Sequence, residues 1–177
     1  MNMQVGDWKK ASGFTIVELL IVVVVIAILA SITIVSYNGI QGRAHDTAVQ
    51  SDLQNMVTFV EIYRATNGRL PRDTDFANMG LKVSTGSYSD TLLINGSTKY
   101  NLLYCSPTLQ DDVYTFVAQS KSGKVFKNGT AGNGEVASSN SSSSIQLCSE
   151  AGITMNGSTT QHRTFFYANG WSAWVNS

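Results

Sequence analysis

One carboxylate stands inside an otherwise apolar run. From Phe14 to Val35, in FTIVELLIVVVVIAILASITIV, Glu18 is the only charged side chain. A carboxylate near a bilayer centre costs about 2.5–3.5 kcal/mol, so Glu18 calls for a partner. The plain reading is local: Thr15 and Glu18 have the T-x-x-E spacing of a capping box at the start of a membrane anchor. The other residues with chemical capacity are few. Cys105 and Cys148 lie outside any C-x-x-C or metal-ligand spacing; they read either as two buried free thiols or as a disulfide worth about 4 kcal/mol by chain-entropy reasoning in an oxidising compartment. His45 and His162 have no Cys, His or carboxylate at ligand spacing and suit packing or surface roles. Asp90 with Asp111-Asp112 offers fewer oxygens than the roughly six to eight a calcium ion takes and reads as an exposed turn. No G-x-S-x-G, P-loop or dinucleotide fingerprint is present. No catalytic residue, metal ligand or cofactor is therefore expected, and the chain reads as a non-enzyme.

Composition narrows the class further. In 177 residues, 12 Lys plus Arg balance 12 Asp plus Glu, and charged residues make up only 14%. A neutral chain gives no electrostatic reason to bind nucleic acid, and Lys121, Lys124 and Lys127 form its one close basic cluster. Abundant Ser, Thr, Asn and Gly suit an exported, β-rich domain.

The elements that must position these groups follow from the pattern. Phe14 to Tyr37 would be about 36 Å long as a helix, enough to cross a hydrocarbon core of about 30 Å. Lys9 and Lys10 precede it and predict a cytoplasmic N-terminal side. A secretory cleavage site needs small residues at the first and third positions before the cut. Cutting after Ala30 or Ala27 would leave Ile28 or Val25 at the third, so the segment is expected to be retained.

Beyond the apolar run, Ile40, Ala44, Val49, Leu53, Met56, Val57, Val60 and Tyr63 recur at helical steps. Arg43, Asp46, Asp52, Glu61 and Arg64 fall between them, which predicts an amphipathic continuation to Asn67. Gly68 and Pro71 supply the stop. Gly39 and Gly42 mark either a kink within one helix or a break between two. After Pro71 come short β-like runs at 91–94, 98–104, 113–119, 124–127, 162–167 and 171–175, with SKSG at 120–123 predicting a hairpin. Residues 128–144 read as a flexible surface loop. The aromatics Tyr63, Phe116, Phe165, Phe166, Trp171 and Trp174 are candidates for core or intersubunit packing.

The stretch Gly13-Phe14-Thr15-Ile16-Val17-Glu18, behind a short basic leader and ahead of a long apolar helix, resembles the class III signal of type IV pilins and type II secretion pseudopilins. The resemblance implies cleavage between Gly13 and Phe14 by a prepilin peptidase, N-methylation of Phe14, and the family's acidic role for Glu18. It also implies an α+β pilin fold, a long N-terminal α-helix packed on a C-terminal antiparallel β-sheet. The domains are then a leader 1–13, a transmembrane and filament-core helix 14–37, an amphipathic helix 38–67 and a β-rich head 68–177. One departure stands out. Many pilins carry a helix-breaking Pro where this chain has Ile34-Val35-Ser36, so Gly39 and Gly42 are the candidates for a loosened turn.

By this resemblance the partners are other copies of the chain, the prepilin peptidase, and the assembly machinery with its inner-membrane platform protein. The precursor sits in the inner membrane and the product in an extracellular filament serving adhesion, motility or DNA uptake. Glu18 of one subunit would pair with the new Phe14 amine of a neighbour and fix their stagger, as a buried polar residue fixes coiled-coil register. The rival readings are a type II secretion pseudopilin and a bitopic membrane-anchored binding module.

Overall fold

A computed structural model describes residues 13–175 apart from 96, 108–111, 138–142, 156–161, 169 and 174. Its first element, α1 (Ile16–Asn67), is a single helix that remains helical through Gly39 and Gly42. The chain divides into two compact units between Ile40 and Gln41.

In the first unit, every large apolar residue of α1 from Ile16 to Ile34 whose side chain is described is exposed. The helix is long and apolar enough to cross a membrane. A helix apolar on all sides has no stripe to bury against its own chain; its surroundings must be apolar instead.

The second unit is built on the rest of α1. Val49, Leu53, Met56 and Val60, at steps of three and four, are all at most 1% exposed. The stripe begins later than its periodicity suggests, since Ala44 is exposed. Asn67 ends the helix, and Gly68 turns back at φ 69° with its N–H donating to the Arg64 carbonyl at 2.8 Å. That conformation strains any residue with a Cβ.

A short helix α2 (Asp73–Phe76) follows, then the hairpin β1 (Leu93–Asn95) and β2 (Thr98–Tyr100). The main sheet contains β3 (Leu102–Ser106), β4 (Thr115–Gln119), β5 (Val125–Gly129), β6 (Gly134–Val136) and β7 (His162–Phe165) in the antiparallel order β6-β5-β4-β3-β7. The expected hairpin is β4–β5, closed where Ser120 N–H donates to the Lys124 carbonyl at 2.9 Å.

Three expectations need correction. The run 98–104 splits at Asn101 into β2 and β3, two strands of different sheets. Among the described residues of 171–175, only an isolated bridge forms, Tyr167 to Trp171. The tract 128–144 is not wholly a loop: β5 extends to Gly129, β6 occupies Gly134–Val136, and α3 (Ser144–Glu150) starts at its end. Its small polar residues conceal Val136, which is buried by pairing with Val125.

All residues of β3 and β4 are buried, because both sheet faces are covered. On the α1 face, Phe76, Tyr104, Phe116 and Phe166 pack edge-on or tilted, with Phe76 centred 5.0 Å from Tyr104 and 5.1 Å from Phe166. On the other face, Leu103, Val117 and Val125 meet Leu147 and Cys148 of α3, with Ile153 beyond. Cys105 and Cys148 form a disulfide, Cα–Cα 5.8 Å, that ties α3 to β3.

Candidate assembly site on the N-terminal helix

Gly13, Phe14 and Thr15 precede the helix, and Thr15 caps it. The Thr15 N–H and Oγ1–H both donate to Glu18 Oε2 at 2.8 Å, while the Glu18 N–H donates to Thr15 Oγ1 at 3.2 Å. This is a complete capping box, satisfying N–H groups that a helix start leaves without partners. The cap engages one oxygen only. Glu18 Oε1 accepts nothing among the described residues, so capping and a further electrostatic partner are compatible roles for one carboxylate.

Phe14 is 87% exposed beside Glu18, and with Leu19, Ile21 and Val22 they border a shallow apolar recess. Further along, Ser31 Oγ donates to the Ala27 carbonyl at 2.8 Å and Thr33 Oγ1 to that of Ala30 at 2.9 Å. The hydroxyls in the run are thus satisfied by their own helix and need no water. A Cβ on Gly39 would meet nothing within 4 Å, and one on Gly42 only Ser122 Cβ at 3.7 Å. Close packing does not require either glycine.

Within the head, polar residues of α1 hold the segments packed over it. Asp52, expected between the apolar positions, is only 7% exposed. It accepts from the Ser84 N–H at 2.7 Å and the Tyr88 hydroxyl at 3.1 Å. Burial raises its pKa above the ordinary 3.8, although these donors pull the other way. Burial, with Asp52 alongside, drives the Tyr88 phenol well above its usual range. Glu61 accepts from the Tyr114 hydroxyl at 2.7 Å, and Arg64 lies 3.2 Å from Asp112. Arg69 grips Asp75 at 2.8 Å and holds that carboxyl below its ordinary pKa. Sequence periodicity missed Asp52 because a lone carboxylate at a polar helix position carries no sign of the donors opposite it.

The other candidates disperse. His45 Nδ1 meets Ser87 Oγ at 3.1 Å. His162 lies on β7, at the end of the sheet. Asp90 pairs with Lys99 at 3.3 Å, and Asp111 lies outside the described residues. No His, Cys, Asp and Glu group suited to a metal occurs among the described residues. Lys124 is taken by Glu135 at 3.2 Å, and Lys127 donates to the Ala151 carbonyl at 3.0 Å.

The segment bearing the capped Glu18 is matched at residues 8–34 by the family model for the prokaryotic N-terminal methylation motif. The similarity to known proteins also reaches into the head. Over 96 residues the chain is 31% identical to the type IV wide pilus major component PilA4 of Thermus thermophilus, spanning 54% of this chain and 73% of that protein. The chain belongs to the type IV pilin family. This pilin is also 30% identical over 63 residues to the type II secretion system core protein G of Aeromonas hydrophila, 36% of the pilin and 44% of that protein. The Klebsiella pneumoniae core protein G gives 30% over 63 residues, 36% and 45%. No solved structure matches the pilin significantly. Gly13, Phe14 and Glu18 all lie inside the matched motif, and the α+β architecture of the head is that of a pilin.

Proposed function

We propose that this pilin is a structural subunit, not an enzyme, of an extracellular type IV pilus-like filament. Residues 1–13 form a leader that a prepilin peptidase removes between Gly13 and Phe14, with N-methylation of Phe14. Residues 14–37 anchor the precursor in the membrane and later pack in the filament core, 38–67 join that core to the head, and 68–177 form the solvent-facing head. The observation that carries this reading is the wholly exposed apolar surface of α1 from Ile16 to Ile34. Burying one large aliphatic side chain contributes about 1.5–3 kcal/mol relative to water, so packed helices supply filament cohesion. Glu18 sets their stagger. Its Oε1, which accepts nothing among the described residues, takes the Phe14 amine of a neighbour, and a misplaced subunit leaves a carboxylate unpaired in a low-dielectric core. An inner-membrane platform protein and its assembly machinery are the partners this route requires.

The core protein G relatives favour a second reading, a type II secretion pseudopilin forming a short periplasmic assembly. The longer similarity, over 96 residues, is to a pilus component and supports the first. Mass spectrometry of protein sheared from the cell surface separates the readings. An N-methylated Phe14 terminus in abundant sheared material is expected. Processed protein absent from the sheared fraction favours the pseudopilin. Unprocessed chain beginning at Met1 and confined to membranes overturns both.

A further inference from the structure

Among the described residues of the head unit, the large apolar side chains left exposed are Phe59 at 37%, Ile62 at 59% and Val113 at 41%. The first two border a groove of about 460 Å³, with Asn55 and Thr58 of the same helix on one side and Gly80 and Lys82 on the other. Phe59 and Ile62, three residues apart, share a helix face, and it is not the stripe of Leu53, Met56 and Val60 that the head buries. The Thr58 hydroxyl donates to the Gln54 carbonyl at 3.0 Å, so it asks nothing of an occupant. Gly80 sits at φ 60°, where any side chain would be strained, and leaves its wall open. One charge stands at the rim: Lys82 is exposed and meets no carboxylate among the described residues. An apolar recess rimmed by polar groups marks an interaction surface.

Val113 carries the opposite charge beside it. Asp112 is 79% exposed; its Oδ1 meets Arg64 at 3.2 Å, and its Oδ2 has no partner among the described residues. The corner is held in place, because the next residue, Tyr114, donates its hydroxyl to Glu61 at 2.7 Å. It therefore lies on the Arg64 side of α1. Residues two apart do not share a helix face, so the corner and the groove beside Ile62 are on different sides of one subunit. A knob with a carboxylate and a groove with an ammonium, placed apart on one molecule, are the two halves of a head-to-tail contact. Such a contact does not close after two copies but propagates into a helical array.

We propose that the groove at Phe59 and Ile62 receives the Val113 corner of a second copy of this chain, with that copy's Asp112 set beside Lys82. This deepens the filament reading and rests on it. The apolar segment holds subunits together, and the groove fixes how one head seats on the next.

The test is oxidative cross-linking of filaments sheared from cells that produce the Ile62→Cys, Val113→Cys double variant. The chain's own cysteines are bonded to each other and do not compete. Non-reducing gels are expected to show a ladder of dimers, trimers and longer multiples, since each subunit offers a knob to one neighbour and a groove to another. Each single variant should stay monomeric, and Phe59→Cys with Val113→Cys serves if the first pair does not assemble. As an independent readout, Lys82→Glu should lower sheared filament at least about threefold, and adding Asp112→Lys should restore it. Sheared filament without a ladder from either cysteine pair overturns the docking and leaves the filament reading standing. Wild-type protein absent from the sheared fraction overturns both. Dimers from Ile62→Cys alone, or a cross-link to a different protein, overturn the proposal, as does failure of Asp112→Lys to rescue Lys82→Glu.

Discussion

Removing the Cys105–Cys148 bridge in a Cys105→Ala, Cys148→Ala variant tests how the head is stabilised. The bridge spans a sequence separation of 43 residues. A cross-link closing a loop of that size removes about 13 cal/mol/K of entropy from the unfolded chain, or about 4 kcal/mol at 25 °C. Two features of the fold make that constraint relevant. The closed loop contains β4, β5, β6 and the start of α3, so most of the main sheet is formed by residues it tethers. Both cysteines are also fully buried, packed with Leu103, Val117 and Leu147, so deleting the two sulfur atoms leaves a small cavity whose cost adds to the entropic one. The loss should therefore be at least that of the unfolded-state constraint. Urea unfolding of the full chain in micelles, followed by far-ultraviolet circular dichroism, is expected to show a midpoint lower by about 2 M if the slope is about 2 kcal/mol/M. The slope should rise in the variant because its unfolded chain is less constrained. A midpoint shift under about 0.5 M, with slope unchanged, would refute the reasoning and show that the loop is already restrained without the bridge.

Replacing Glu18 with Leu should leave membrane insertion intact and abolish or severely reduce sheared filament, measured by quantitative immunoblot; normal filament yield sinks the register role. Gly129→Ala drives a Cβ into the Tyr114 carbonyl oxygen and places it 2.6 Å from Thr115 Cα. Because backbone cannot yield as a flexible side chain does, a loss of about 1–3 kcal/mol is expected on denaturation, and an unchanged midpoint would contradict the close approach of β4 and β5. Asp52 has a pH signature. Its folded pKa is raised by burial from 3.8, so the folded head binds this proton more tightly than the unfolded chain, and the associated stability is lost as pH rises from below 3.8 through the raised value. Asp52→Asn should remove that limb from the pH dependence of the unfolding midpoint, and an identical profile in the two proteins would show that another group produces it.

Local pattern carried much of the organisation. The apolar run from Phe14, the helix stop at Gly68 and the β4–β5 hairpin depend on hydrophobic period, backbone freedom and turn chemistry, which neighbouring residues specify among themselves. The Thr15–Glu18 cap is legible for the same reason: its partners are three residues apart. Glu18 also announced itself as a candidate site because one charge in an apolar run is conspicuous in any context.

What tertiary structure alone decided concerns partners distant in sequence. The C-terminal strand β7 lies beside β3, ahead of the order of synthesis, and no local pattern names that neighbour. β6 and α3 escape notice in a small-residue tract because their burial comes from β5 and the second sheet face rather than from periodicity. Asp52 reads as a solvent-facing helix residue until Ser84 and Tyr88 close over it. Sequence determined where the chain is apolar and where it turns, because those are short-range properties. Folding determined which polar groups meet, because that depends on long-range closure of the chain.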